Sequence, residues 1–176
     1  HRLRILLVLS LTFYSYWDIR FLPLLILSIG INWSVAHFFD KNRRTTLIVA
    51  AIALNIAVLG VFKYTGFLAS LLEPVLVLPT SIQGLALPLG ISFFTFHHVM
   101  YLTDLRAGIA PQFGPVKYGL YIGFFPQVLA GPLVRWSEIM HQFDERPYLP
   151  PDAARRFAQG LLLLIFGLAK KVLLGD

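Results

Sequence analysis

The feature that most constrains this chain is how far it runs without a charge. Residues 74–103 carry no formal charge over 30 consecutive positions, and further charge-free windows cover residues 5–17, 21–39, 45–62, 118–134 and 157–169. A helix needs about 20 mostly apolar residues to cross a bilayer, and soluble elements rarely go so long without a charged face. With 57% hydrophobic and 14% charged residues, the chain lies far from the roughly 45–50% apolar and about 25% charged make-up of soluble domains. These numbers exclude a water-soluble globule, a disordered tail and a nucleic-acid binder. We expect an all-α polytopic membrane protein with about five or six transmembrane or re-entrant helices, in one domain over residues 1–176.

Lys and Arg fall between the windows rather than in a stripe, as the positive-inside rule describes. Lys41, Arg43 and Arg44 mark the loop after the second window as cytoplasmic, which puts Arg2 and Arg4 on the same side. The region around Glu73 has no Lys or Arg between Lys63 and Arg106, and is expected outside. Arg106 and Lys117 return inside. The third window is long enough to continue past Lys63 to Leu72. The uncharged residues 74–103 exceed one span and contain Pro74, Pro79, Gly84 and Pro88. They read as a segment hugging the surface to about residue 84, then a helix over residues 87–102. Pro126 and Pro132 interrupt residues 118–134, which either cross with a kink or enter and return on one side. Residues 135–156 read as a polar loop at the bilayer surface, with Asp152 placed to cap the last helix.

With no cysteine, disulfides and thiolate chemistry are absent. No glycine-rich phosphate loop, G-x-S-x-G or H-E-x-x-H occurs, and no metal site is expected. Ionisable residues at membrane depth are costly and commonly functional, which singles out His97 and His98. Adjacent helix positions point about 100° apart, so at most one of the two is expected to face a cavity. Asp104, with Arg106, closes the same helix beside Tyr101. His37 reads as interfacial, and His141 with Glu145 as a solvated pair. Pro126, Gln127, Gly131, Pro132 and Arg135 gather polar or donor-free backbone groups at membrane depth, where they must be satisfied or line a wet groove.

Residues 87–104, LPLGISFFTFHHVMYLTD, and residues 124–135, FFPQVLAGPLVR, closely resemble the membrane-bound O-acyltransferase (MBOAT) family. The nearest branch holds alginate O-acetyltransferase membrane components and D-alanyl transfer proteins of teichoic acids. Supporting blocks are FYSYWDIRFLPLL at 13–25, LNIAVLGVFKYTGF at 54–67 and GLAKKVLLGD at 167–176, in the family's order over nearly the whole chain.

The resemblance implies a multi-pass protein of the bacterial cytoplasmic (inner) membrane, its helices in a ring around a thinned centre crossed by a tunnel. It implies transfer of an acyl, commonly acetyl, group to hydroxyls of an exported polysaccharide such as alginate. The donor would be an acetyl thioester or an acylated carrier, with no bound cofactor. Partners would be the lipid bilayer, the polysaccharide and either periplasmic accessory acetylation proteins or an acyl-carrier protein, with no nucleic acid. The family's essential histidine lies in a later helix than the block at 167–176, so no catalytic residue is expected in this chain. His97 stands where relatives often carry glutamine.

His97, His98, Asp104, Pro126, Gln127, Gly131, Pro132 and Arg135 are then candidate tunnel or substrate-path residues, by residue type and depth. The chain begins without methionine and ends just after an apolar run, from which we expect the N-terminal part of a longer protein. The alternatives are D-alanyl transfer to teichoic acid and a non-catalytic truncated membrane scaffold. A transporter would need paired charges along a path, and none is visible.

Overall fold

A computed structural model describes residues 1–42, 44–72, 87–130, 133–144 and 151–175. Among these residues there are helices and no strands. The chain divides into two units, His1–Asp144 and Glu145–Asp176.

The first unit opens with α1 (Arg2–Asp18) and α2 (Leu22–Asn42), separated by one 3-10 turn (Ile19–Phe21). Asp18 leaves the helical region (φ −156°, ψ 103°) and its carboxylate accepts from the Arg20 backbone N–H. The same carboxylate pairs with the Arg20 guanidinium at 2.7 Å. That charged pair is why the first two charge-free windows are separate helices. Next comes α3 (Thr45–Leu72), whose 28 residues pass straight through Lys63 as the hydropathy allows. Among the described residues, two stretches are long and apolar enough to cross a membrane: Arg2–Phe39, with mean hydropathy 1.6, and Thr45–Thr65, with 2.3. Large apolar side chains such as Val8, Leu27, Leu54 and Ile56 stay exposed on them, as suits a lipid solvent rather than water.

The next helix starts later than its expected residue 87. Gly90 sits in the left-handed region (φ 67°) as N-cap, and α4 runs Ile91–Arg106. The Pro88–Gly90 turn is closed by the Ile91 N–H on the Pro88 carbonyl at 3.2 Å. The expected surface segment, residues 74–84, lies outside the described residues.

Residues 118–134 form no continuous helix. α5 (Pro115–Gly123) ends at Phe124, which turns extended (φ −62°, ψ 113°), and α6 (Phe125–Ala130) follows at once. At 1.5 Å per residue α5 rises about 14 Å, less than half the bilayer core of about 30 Å. Pro126 falls in the first turn of α6, where its missing N–H breaks no helical bond.

Residues 136–144, expected in a surface loop, are helical: α7 (Trp136–Asp144). Its Met140 and Phe143 are buried with Trp136 and Ile139 packed on the core, a helical repeat that outweighs the polar composition of the stretch.

α5 lies along α1. A Cβ at Gly119 would stand 3.2 Å from a Leu7 methyl, so the absent side chain lets the two helices approach. The rings of Phe13 and Phe125 meet farther along at 5.2 Å, so α1 and the α5–α6 stretch run parallel. The α2 end carrying Trp33 and His37 meets the loop before α5, where the Trp33 indole donates to the Phe113 carbonyl at 3.1 Å. Gln112 and His37 are 3.1 Å apart. Arg4 and Lys117 flank one groove at that end.

The second unit holds α8 (Ala153–Lys170), continued by a π turn (Lys171–Gly175). Asp152 occupies the N-cap position, but its side chain makes no cap. It pairs with Arg156 instead, at 2.9 Å.

Candidate functional site

α4 carries the two histidines into the interior of the first unit, where both are buried. As their spacing requires, they address different neighbours.

His97 turns toward α5 and α6. Its Nδ1 lies 2.7 Å from the Phe93 carbonyl one turn back. A carbonyl only accepts, so Nδ1 carries the proton, and Nε2 of the neutral ring is an acceptor. Gln127 supplies the matching N–H, 2.8 Å away. That orientation commits the amide, and Gln127 Oε1 is left buried without a partner. The Tyr121 ring stands perpendicular to the imidazole at a centroid distance of 5.1 Å.

His98 turns toward α2 and α5. Its Nδ1 is 2.7 Å from the Tyr118 hydroxyl, and its Nε2 is 2.9 Å from Ser28 Oγ. Both partners are hydroxyls, able to donate or accept, so either neutral tautomer is satisfied. From Ser28 the polar chain continues: Asn32 Nδ2 donates to the Ser28 carbonyl at 2.9 Å. The amides of Asn32 and Asn55 then exchange two bonds, at 2.7 and 3.2 Å. This network joins α5, α4, α2 and α3. A cavity of about 200 Å³ opens beside it, with Ser28, Asn32, Asn55 and Thr95 among mainly aliphatic walls.

The remaining candidates stand apart. Asp104 is two turns beyond His97 at the end of α4, where its Oδ2 accepts the Trp136 indole N–H at 2.9 Å. Its carbonyl accepts the N–H groups of Ile109 and Ala110. It anchors α7 and a loop rather than joining the histidines. Pro126 and Arg135 are exposed. Gly131 and Pro132 lie outside the described residues. His37 stacks on Trp33, while His141 is exposed and 3.3 Å from the Ser137 carbonyl of its own helix. Among the described residues no group of three or more His, Cys, Asp or Glu could hold a metal.

The structure thus brings together His97 with Gln127, and His98 with two residues that the charge-based reading passed over, Ser28 and Tyr118. The signal that could have found Ser28 is its spacing with Asn32: two uncharged polar groups, i and i+4, on one face of a mostly apolar stretch of α2. Such an arrangement can hold a proton on either side of the His98 ring, and Ser28 belongs both to this network and to the cavity wall.

Comparison with known proteins gives relatives along the whole chain. A peptidoglycan O-acetyltransferase of Helicobacter pylori is 35% identical over 97% of the chain and 38% of its own length. The protein named Probable alginate O-acetylase AlgI of Pseudomonas aeruginosa is 28% identical over 100% of the chain and 35% of its own length. A teichoic acid D-alanyltransferase of Lacticaseibacillus rhamnosus is 29% identical over 77% of the chain and 30% of its own length. The chain spans about a third of the length of these relatives. No family model matches it, and no solved structure matches it significantly.

Proposed function

The chain belongs to the membrane-bound O-acyltransferase family, and from that premise we propose that it is part of an enzyme acylating a cell-envelope polymer. The acyl group is acetyl, the donor a thioester or an acylated carrier on the cytoplasmic side. The acceptor is a hydroxyl of an exported polysaccharide, alginate or the glycan of peptidoglycan. What carries the reading is the resemblance to a peptidoglycan O-acetyltransferase over 97% of the chain and to an alginate O-acetylase over 100% of it. D-alanyl transfer to teichoic acid is the second reading, supported by the resemblance to a D-alanyltransferase over 77% of the chain.

In this reading the protein is multi-pass in the bacterial inner membrane. Its helices make one side of a ring, with Gln127 and Arg135 as polar contacts of the substrate path. The Gln127 acceptor without a donor suits a hydroxyl-bearing ligand. The family's essential histidine would lie beyond this chain, with periplasmic acetylation proteins or a carrier protein as partners.

The test is disruption of the gene in its own host, followed by release of esters from each envelope polymer by mild alkali. Loss of acetate from one polymer, restored by complementation, is the expected result. Loss of D-alanine with acetate intact would select the second reading. Unchanged ester on every polymer would end both.

A further inference from the structure

The segment between Pro115 and Trp136 has its two ends in the same place. Trp136, which follows α6, donates its indole N–H to Asp104 Oδ2 at 2.9 Å, and Asp104 lies in the last turn of α4. The Trp136 ring also meets Phe113, just before α5, with centroids 5.9 Å apart. On the way back, the Val134 carbonyl accepts from the Tyr121 hydroxyl at 3.4 Å. A segment that crossed the bilayer would hold Phe113 and Trp136 about 30 Å apart. The far point of the excursion is fixed by its neighbours. Phe125 packs on Phe13 at 5.2 Å, and Phe13 stands about 16 Å along α1 from Arg2 at the rise of an α-helix. His97 lies about 14 Å from the Arg106 end of α4 by the same rise. Both lengths put the turn near the middle of a core about 30 Å thick. There Gln127 meets His97 at 2.8 Å. Its side chain is only 6% exposed, yet Oε1 has no partner. Buried acceptors are rarely left unpaired, and non-helical backbone at this depth occurs where protein or a wet cavity surrounds it.

We propose that residues 115–136 form a re-entrant hairpin, entering and leaving the membrane on the cytoplasmic side, and that the Gln127 amide at its tip binds the arm of the thioester donor. The side follows from the cations at that end: Arg4 and Lys117 flank one groove, Arg106 closes α4, and Lys and Arg collect inside. A ligand that reaches the tip along the hairpin comes from the cytoplasm, as the acyl donor does, whereas the exported acceptor approaches from the opposite face. The donor's site rests on the acyltransferase reading above; the hairpin does not. Gln127 Oε1 only accepts, so a thioester carbonyl finds no bond there, while the N–H and O–H groups along a coenzyme A-type arm do. His97 decides which way the amide faces. Its Nδ1 proton is committed to the Phe93 carbonyl, so Nε2 takes the Gln127 N–H and Oε1 is the atom left for the ligand. His97 is thus a positioning residue, and the transfer itself is left to the histidine that the family resemblance puts beyond this chain.

The experiment uses the whole protein in its own membrane, with single cysteines in a background free of others. Lys117→Cys and Ser137→Cys, the latter exposed in the first turn of α7, should both react with an impermeant maleimide from the cytoplasmic face only. Tyr16→Cys, at the exposed end of α1, should react from the outside only. Labelling at residues 117 and 137 from opposite faces overturns the hairpin, and labelling of both from the outside overturns its side. Transfer is then assayed with acetyl-coenzyme A and the polysaccharide. Gln127→Leu should raise the KM for acetyl-coenzyme A about three- to tenfold, the worth of one neutral hydrogen bond. The acceptor's KM should stay unchanged, and an unaltered labelling pattern shows that the variant is folded. A rise in the acceptor's KM alone, or no change in either KM, overturns the donor site. A wild-type protein that transfers nothing, from a host whose gene disruption leaves every ester intact, removes the acyltransferase reading and the donor site with it, while the labelling still decides the hairpin.

Discussion

Replacing Asn32 and Asn55 by leucine, singly and together, should reveal a coupling that neither single change predicts. The two amides are buried between α2 and α3 and exchange bonds of 2.7 and 3.2 Å. Each also donates within its own helix, Asn32 to the Ser28 carbonyl and Asn55 to the Ala51 carbonyl. Interhelical hydrogen bonds in membrane proteins contribute about 0.6 kcal/mol on average and about 1.7 kcal/mol at most, so the pair contributes about 1–3 kcal/mol. Asn55→Leu removes both bonds and leaves one N–H and the Oδ1 of Asn32 buried without partners, a cost of about 2 kcal/mol. Asn32→Leu does the same to Asn55. The double replacement leaves no orphan and should cost about 0–1 kcal/mol. The singles would then overstate the double by about 3 kcal/mol, the upper range for residues in direct contact. Reversible unfolding in mixed micelles, followed by the fluorescence of the three tryptophans, measures all four corners of the cycle. Singles that add to within about 0.5 kcal/mol would refute the reciprocal pair and, with it, the held backbone under Ser28.

Three further outcomes follow from the packing. At Gly119, alanine meets the flexible tip of Leu7, at 3.2 Å, and Ile29 at an ordinary contact distance of 3.8 Å, and its helix propensity gain of up to about 1 kcal/mol should leave stability near wild type. Gly119→Val should cost about 1–3 kcal/mol by overpacking, and equal thermal unfolding of the valine and glycine proteins in detergent would contradict the close approach of α1 and α5. At the end of α4, Asp104→Leu should strand the Trp136 indole N–H at a cost of about 1–3 kcal/mol. Asp104→Asn should stay within about 1 kcal/mol, since it keeps an acceptor and loses only the charge assistance; denaturation of the two side by side tests this, and equal losses would contradict the indole bond. Because the chain has no cysteine, Arg4→Cys and Lys117→Cys introduce clean single labels. Both should react with an impermeant maleimide from the cytoplasmic face only, and opposite-side labelling would contradict the shared groove.

What the sequence reveals and what it hides separate along a physical line. Hydropathy acts locally, so charge-free windows locate α1, α2 and α8 to within a few residues, and α3 once its window is carried past Lys63 to Leu72; the charged pair at Asp18 and Arg20 accounts for the break between the first two. Helix ends depend on single residues: Gly90 delays α4 to Ile91, a stop the Pro–Leu–Gly run announces to a reader looking for turn chemistry. The α5–α6 break is half legible, because Pro126 forbids a continuous helix without saying which residue will turn extended. α7 was hidden by composition: its charges read as a loop, while Trp136, Ile139, Met140 and Phe143 repeat at helical spacing. The site divides in the same way. His97 and His98 stand out because an ionisable side chain at membrane depth is costly wherever it points. Ser28, Asn32 and Asn55 do not, because an uncharged polar group costs little once it finds a partner. The partner of Ser28 lies 70 positions away, and that pairing is decided by how α2 meets α4. Sequence alone can still narrow the search, since an amide or hydroxyl repeated at i and i+4 within an apolar span faces one direction and needs something there to bond. In this chain the i, i+4 pair at residues 28 and 32 found a histidine on one side and an asparagine on the other.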